Sequence, residues 1–150
     1  GIVGYKWSGD EANSTPGTVS AIGTGYKNTL TIVAQSSTSG KAGTASRDYR
    51  GPNNLSDWHS PSKDELNQMC KWARGIAWVS DATVCSSGGT LNSGTGAAGF
   101  YSNYYWSSSQ SGNSRAWYQN FVNPYNAALS GGQGTDLKNI PMFVRPIRAF

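Results

Sequence analysis

The chain has 150 residues, of which 13% are charged and 12% are aromatic, and it carries a net charge of +4. This length is typical of a single domain over residues 1–150, and so many aromatic residues exclude a disordered chain. The twelve basic residues are scattered and no apolar run approaches the roughly 20 residues of a membrane span, so we expect neither a nucleic-acid partner nor membrane insertion.

The first third of the chain predicts one strand and one helix. The N-terminal segment GIVGYKW is typical of a short strand. In TGYKNTLTIVAQ, Tyr26, Leu30 and Val33 recur at helical spacing, which predicts a helix that buries these three side chains. The following segment, SSTSGKAGTAS, is typical of a flexible connection.

The segment SPSKDELNQMCKWARG predicts a second helix. Ser62 and Glu65 have the spacing of a capping box, and Gly75 is placed to end the helix. The predicted buried face consists of Leu66, Met69, Cys70 and Ala73. The next segment, GIAWVS, fits either a strand or an extension of this helix.

The remainder of the chain predicts strands joined by glycine-rich and serine-rich connections. SSGGTLNSGTGAAG is typical of a loop, whereas YYWSSS, RAWYQNFV and MFVRPIRAF are typical of strands. In RAWYQNFV, alternation places Trp117, Gln119 and Phe121 on the inner face. Tyr118, Asn120 and Val122 are then expected to face outward. Helices followed by strands predict an α+β fold.

Cys70 and Cys85 are the two cysteines of the chain. They fit either a disulfide, which would close a loop of about 15 residues, or two buried thiols. We favour the disulfide, which is typical of a secreted or virion-surface protein.

Several segments resemble one group of C-type-lectin-like domains. DWHSPSKDELNQMCKWARG resembles the Asp-Trp-x-x-Pro-Ser-Lys-x-Glu-Leu motif of this group, and YYWSSSQ, AWYQNF and VRPIRAF resemble its closing motifs. The group includes the C-terminal domains of bacterial collagen-like adhesins, phage and bacterial surface proteins, and variable proteins diversified by retroelements. It is distantly related to formylglycine-generating enzymes.

The resemblance implies a loop-rich fold in which two helices flank small antiparallel sheets, with the N-terminal strand beside the C-terminal one. It also implies structural roles for the residues of the shared motifs. The expected core residues are Trp58, Trp106, Trp117 and Phe121. Ser107 and Ser108 are expected to bond backbone groups, and Arg145 and Arg148 to hold the last strand.

Catalytic side chains are sparse in this sequence. His59 is the single histidine and the eight carboxylates are dispersed, so we expect no enzyme activity. The cysteines precede the closing motifs, which argues against the chemistry of the formylglycine-generating enzymes. We expect no cofactor and no zinc site. Calcium stays open, because loop backbone and amide oxygens serve as its ligands, although the Glu-Pro-Asn and Gln-Pro-Asp motifs of animal lectins do not occur.

A recognition face is expected in the segments between the closing motifs. There, Tyr provides rigid contact area and Ser, Gly and Asn provide adaptable hydrogen bonds. Retroelement-diversified relatives vary the same closing third of the chain. The expected ligand-binding residues are Tyr118, Asn120, Val122, Asn123, Tyr125, Asn126, Ser111, Asn113, Ser114, Ile140 and Met142.

Together these features predict an extracellular, cell-surface or virion domain, such as one on a phage tail tip. Its partner would be a glycan or protein receptor on a host cell. The alternative is a structural decoration or assembly domain of a virion or surface fibre, in which copies of the chain associate as a homo-oligomer.

Overall fold

The computed structural model of the protein describes residues 4–85, 99–122 and 131–149. Three helices and three strands lie within these ranges: α1 (Gly25–Gln35), α2 (Ala42–Asp48), α3 (Lys63–Ala73), β1 (Tyr104–Gln110), β2 (Arg115–Asn120) and β3 (Gln133–Leu137). The strands form one antiparallel sheet in the order β1-β2-β3. The predicted α+β class is confirmed, but the expected number of two helices is wrong. No helix in the described ranges is long and apolar enough to cross a bilayer.

Helix α1 lies where the sequence predicts a helix, but it buries a different face. Tyr26 and Leu30 are exposed. The buried residues are Gly25, Asn28, Thr29 and Ile32. Asn28 donates to the carbonyl of Val19 at 2.6 Å and accepts from its N–H at 2.8 Å, and Thr29 bonds the backbone of residue 60. Because Asn28 and Thr29 form hydrogen bonds with neighbouring backbone groups, they are buried in preference to the apolar side chains of Tyr26 and Leu30.

Helix α2 forms within the segment that the sequence analysis takes for a flexible connection. Its first N–H groups, those of Ala42 and Gly43, donate to the carbonyls of Lys6 and Trp7. A methyl group at Gly43 would stand 2.7 Å from a side-chain carbon of Ile32 in α1. The small residues therefore allow α2 to pack closely on α1, and the prediction of flexibility is wrong.

Helix α3 follows the prediction closely. The Ser62 hydroxyl accepts from the Glu65 N–H at 3.2 Å, and the Glu65 carboxylate accepts from the Ser62 N–H at 2.6 Å. The helix ends before Gly75, which has a φ of 65° and therefore terminates it without the cost that a side chain would add. Cys70 and Cys85 form a disulfide, which confirms the favoured alternative. The residues after α3, 76–80, form neither the strand nor the helix extension considered from the sequence.

The sheet separates two apolar clusters. One lies between α3 and the sheet and contains Leu66, Cys70, Tyr105 and Phe121, and the other gathers residues of α1, α2 and the N-terminal segment around Trp106. Expected structural roles are confirmed for Ser107 and Ser108, whose hydroxyls donate to the carbonyls of residues 117 and 61. Trp58 and Trp117 are only partly buried.

The C-terminal segment is held by isolated bridges instead of the strand expected for MFVRPIRAF. Met142 pairs with Tyr5, Phe143 with Tyr105, and Ile147 with His59. The first of these pairs confirms that the N-terminal segment lies beside the C-terminal one. In contrast, β3 forms from the segment QGTDL, to which the sequence analysis assigns no structural role.

Candidate functional site

An open groove of about 1140 Å³ lies between the turn after α2, helix α3 and the C-terminal segment. Its aromatic side chains form two groups, one around Trp58 and one around Trp72, and aliphatic side chains line it as well. The lining residues in the described ranges are Tyr49, Pro52, Asn53, Leu55, Trp58, Gln68, Met69, Trp72, Phe100, Arg145, Pro146, Ile147 and Arg148. None of these described residues is acidic.

Trp58 forms the first aromatic side of the groove and is fixed by its neighbours. Its indole N–H donates to the carbonyl of Arg50 at 3.1 Å, and its ring meets the edge of Tyr49 with 4.8 Å between centroids. Gly51 packs against the indole so closely that a methyl group there would stand 2.7 Å from its Cζ2 atom. The Trp58 ring is therefore positioned before any ligand arrives.

Arg148 connects this side of the groove to the C-terminal segment. Its guanidinium donates to both oxygens of Asp57, at 2.6 and 2.7 Å, and lies 5.9 Å from the centre of the Trp58 ring. The Arg148 hydrogen bond holds the pKa of the Asp57 carboxyl below its ordinary value of 3.8. The backbones of His59 and Ile147 exchange two hydrogen bonds beside this ion pair.

Trp72 and Phe100 form the second aromatic side. Trp72 lies on the outer face of α3 with 61% of its surface exposed, and its ring centre is 6.5 Å from that of Phe100. Phe100 stacks on Phe121 in the core at 4.8 Å. Arg145 places its guanidinium 4.7 Å from the Phe100 ring centre and donates to the carbonyl of Gly99.

Polar side chains at the groove are amides and guanidinium groups. Asn53 and Gln68 supply amide groups that both donate and accept hydrogen bonds. Leu55, Met69 and Ile147 supply apolar surface. The groove therefore offers flat apolar faces, neutral hydrogen-bonding groups and positive charge, a combination that is typical of a binding site.

His59 lies near the groove but is buried. Its Nδ1 atom is 3.3 Å from the carbonyl oxygen of Asp57, and its ring meets the edge of Tyr26 at 5.6 Å. These contacts give the single histidine a packing role. No cluster of three or more His, Cys, Asp or Glu side chains suited to a metal ion occurs among the residues that the structure describes.

The described residues that were expected to form the recognition face are spread over both ends of β2 and the C-terminal segment. The turn 111–114 precedes β2 and Val122 follows it, so this strand of six residues, about 20 Å long at roughly 3.3 Å per residue, separates them. Within this turn Ser111 and Asn113 are exposed and Ser114 is half-buried. Asn123, Tyr125 and Asn126 lie outside the described residues.

Two of these residues are buried, contrary to expectation. Asn120 is 8% exposed, and its side-chain oxygen accepts from the N–H of Val122 at 2.8 Å. The expectation that Asn120 faces outward is therefore wrong, because its amide caps the end of β2. Met142 is 6% exposed and packs in the cluster around Trp106. Ile140, by contrast, is 37% exposed.

Tyr118 is half-buried and lies across the sheet. A methyl group at Gly134 would stand 2.6 Å from its Cζ atom, and the Tyr104 ring meets Tyr118 edge-on at 5.4 Å. Burial, with a smaller contribution from Tyr104, raises the pKa of the Tyr118 hydroxyl. One face of the Tyr118 ring therefore packs against the sheet, which reduces the ring area that is available to a partner.

The groove was missed by sequence reasoning because its residues come from three distant parts of the chain. Trp58 and Arg148 belong to the motifs assigned to the scaffold. Trp72 gave the one available indication, since it lies outside the predicted buried face of α3 and is a large aromatic residue on the polar face of a helix.

Comparison of the chain with protein-family models, with curated proteins and with solved structures finds no significant match. The α+β architecture, the disulfide and the aromatic groove are therefore the observations from which a function can be argued.

Proposed function

We propose that this protein is a non-enzymatic recognition domain with a C-type-lectin-like fold. It acts at the surface of a bacterium or at a phage tail tip, where it binds a glycan or protein receptor on a host cell. The observation that carries this proposal is the groove between Trp58 and Trp72, with Arg145 and Arg148 beside it.

The groove has the properties of a preformed binding surface. Trp and Tyr supply large contact areas at a low cost in conformational entropy, and they are frequent among the residues that dominate binding energies. Trp58 and Phe100 are held by the packing contacts described above. A ligand therefore meets walls that are already ordered, which reduces the entropic cost of binding.

The structural roles of several residues in the lectin-like motifs support the same proposal. The Trp106 indole is buried and donates to the carbonyl of Tyr5 at 2.9 Å, which joins the N-terminal segment to the sheet. Ser107 and Ser108 bond backbone carbonyls. These three residues thus hold the fold, whereas other residues of the same motifs, Trp58, Trp72, Arg145 and Arg148, line the groove.

The proposal is tested by a binding screen of the full chain against a glycan array and a panel of bacterial cells. We expect Trp72→Ala to weaken the binding found in the screen at least about tenfold, as is usual for a central aromatic contact. Trp78→Ala is the matched control, because Trp78 is 67% exposed and does not line the groove.

Tyr118→Ala distinguishes the groove from the face expected from the sequence. Loss of binding in Tyr118→Ala, with full binding in Trp72→Ala, would overturn the assignment of recognition to the groove. The absence of binding to every array member and every cell type would overturn the recognition function itself.

The second candidate is a structural or assembly domain, and the segment after α3 favours it. Trp78 and Val79 are 67% and 70% exposed, and adjacent exposed apolar residues of this size often mark an interface. Size-exclusion chromatography with light scattering tests this alternative. A homo-oligomer that dissociates to a 16.0 kDa species in Trp78→Ala would support it, and a monomeric wild-type chain would contradict it.

A further inference from the structure

The groove combines aromatic surface with guanidinium groups and has no acidic side chain among its described lining residues. We infer that it binds an oligosaccharide whose sugars carry carboxylates, such as uronic or sialic acids. This inference rests on the proposed recognition function and names its ligand class.

The aromatic side chains provide the surface for sugar rings. Tyr49 and Trp72 are well exposed at 45% and 61%, and both line the groove. The C–H faces of a pyranose ring are apolar and pack against flat aromatic rings. The amides of Asn53 and Gln68 are suited to sugar hydroxyls, because an amide donates and accepts at once.

The charge of the groove selects among sugars. Asp57 is already engaged by Arg148 through a bidentate pair. Arg145 is the second guanidinium at the groove; its Cζ atom lies 4.7 Å from the centre of the Phe100 ring, and one of its N–H groups donates to the carbonyl of Gly99. A planar guanidinium matches a carboxylate in geometry and charge, so we assign the sugar carboxylate to Arg145. All eight acidic side chains of the chain lie in the described ranges, and none of them lines the groove.

The size of the groove indicates an oligosaccharide. Pockets for drug-sized ligands hold roughly 300–1,000 Å³, and this groove of about 1140 Å³ exceeds that range. A volume of this size accommodates several linked sugar units, and its aromatic groups around Trp58 and Trp72 provide more than one surface for their rings.

The experiment is isothermal titration calorimetry of the full chain with matched pairs of probes. Trigalacturonic acid is compared with its methyl ester, and sialyllactose with lactose, so that each pair differs chiefly in the carboxylate. We expect at least one acid to bind about tenfold or more tightly than its neutral partner. We also expect that preference to weaken with added salt, because screening reduces the attraction between charges.

Arg145→Gln is expected to remove the preference for the acid, so that the acid and the neutral probe bind this variant equally. Arg115→Gln is the control, because Arg115 is exposed on β2 and does not line the groove. Circular dichroism reports whether Arg145→Gln folds. The comparison of acid with ester needs no substitution, so it decides the question even if that variant is unstable.

The outcomes separate this inference from the proposed function. Equal binding of acid and neutral probes, or no binding of either while Trp72→Ala still abolishes attachment to cells, would overturn the acidic sugar and leave recognition by the groove standing. Tighter binding of a glutamate-rich peptide than of any saccharide would overturn it in favour of a peptide ligand. Unchanged attachment by Trp72→Ala would instead contradict recognition by the groove.

Discussion

Replacement of Gly51 by alanine tests how the Trp58 side of the groove is held. Gly51 has a φ of 64°, and an added methyl group would stand 2.7 Å from Cζ2 of Trp58. A left-handed conformation costs an alanine about 1–2 kcal/mol, and displacement of a packed side chain costs about 1–3 kcal/mol. We therefore expect Gly51→Ala to lower the free energy of unfolding by about 2–5 kcal/mol, the sum of these two costs.

Gly75→Ala is the matched control for this substitution. Its φ of 65° is nearly the same, but a methyl group there meets nothing within 4 Å, so only the backbone cost of about 1–2 kcal/mol applies. Urea denaturation followed by circular dichroism measures both variants. The NMR signal of the Trp58 indole N–H should shift in Gly51→Ala alone. Equal losses of stability in the two variants, with no shift at Trp58, would refute the close packing of Gly51 on this ring.

Three further predictions concern other contacts of the fold. The double variant Cys70→Ala, Cys85→Ala should lose about 3 kcal/mol of stability, as expected for a loop of 15 residues. In urea denaturation, dithiothreitol should remove the difference in stability between this variant and the wild-type chain. A difference that persists in dithiothreitol would contradict this prediction. Lys138→Met should lower the free energy of unfolding by about 1–3 kcal/mol, because the buried Lys138 ammonium donates to the carbonyls of residues 13 and 113 at 3.0 and 2.8 Å. An unchanged midpoint of urea denaturation would contradict this role. Arg148 lowers the pKa of Asp57 below 3.8, so the stability contributed by this ion pair is complete above pH 3.8 and is lost as the pH falls further. Asp57→Asn should remove that part of the acid dependence, and an unchanged acid limb would count against it.

The parts of the fold that could be predicted are those whose residues determine their own structure. The capping box of Ser62 and Glu65 satisfies N–H groups within α3 and needs no distant partner. The alternation in β2 correctly predicts that Gln119 and Phe121 are buried, but it fails at Asn120, which is buried, and at Trp117, which is only partly buried. Local patterns of this kind are visible in the sequence.

The buried face of α1 could not be predicted in this way. Thr29 is buried because it bonds the backbone of Ser60, 31 residues further along the chain. Gly25 packs against the backbone of Ser60 so closely that a methyl group on Gly25 would stand 2.7 Å from the Ser60 carbonyl oxygen. Tertiary contacts thus overrode the apolar periodicity of Tyr26 and Leu30, and α2 was missed for a similar reason.

The groove could not be predicted either, because it too depends on tertiary contacts. Trp58, Trp72 and Arg145 are separated by 14 and 73 residues in sequence, and only the fold brings them to one surface. Arg145 and Arg148 were expected to hold a last strand; no strand forms there, but both side chains bond the C-terminal segment to other parts of the fold, at Gly99 and Asp57. These contacts also place both guanidinium groups beside an aromatic surface, which the motifs alone do not indicate.

The most direct test of the central claim is NMR mapping of the six tryptophan indole N–H groups during titration with trigalacturonic acid. Recognition by the groove predicts that the signals of Trp58 and Trp72 shift, while those of the buried Trp7 and Trp106 and of the exposed Trp78 do not. Shifts confined to Trp117 and to the backbone of residues 111–122 would contradict the claim, because they would place recognition on the sheet instead.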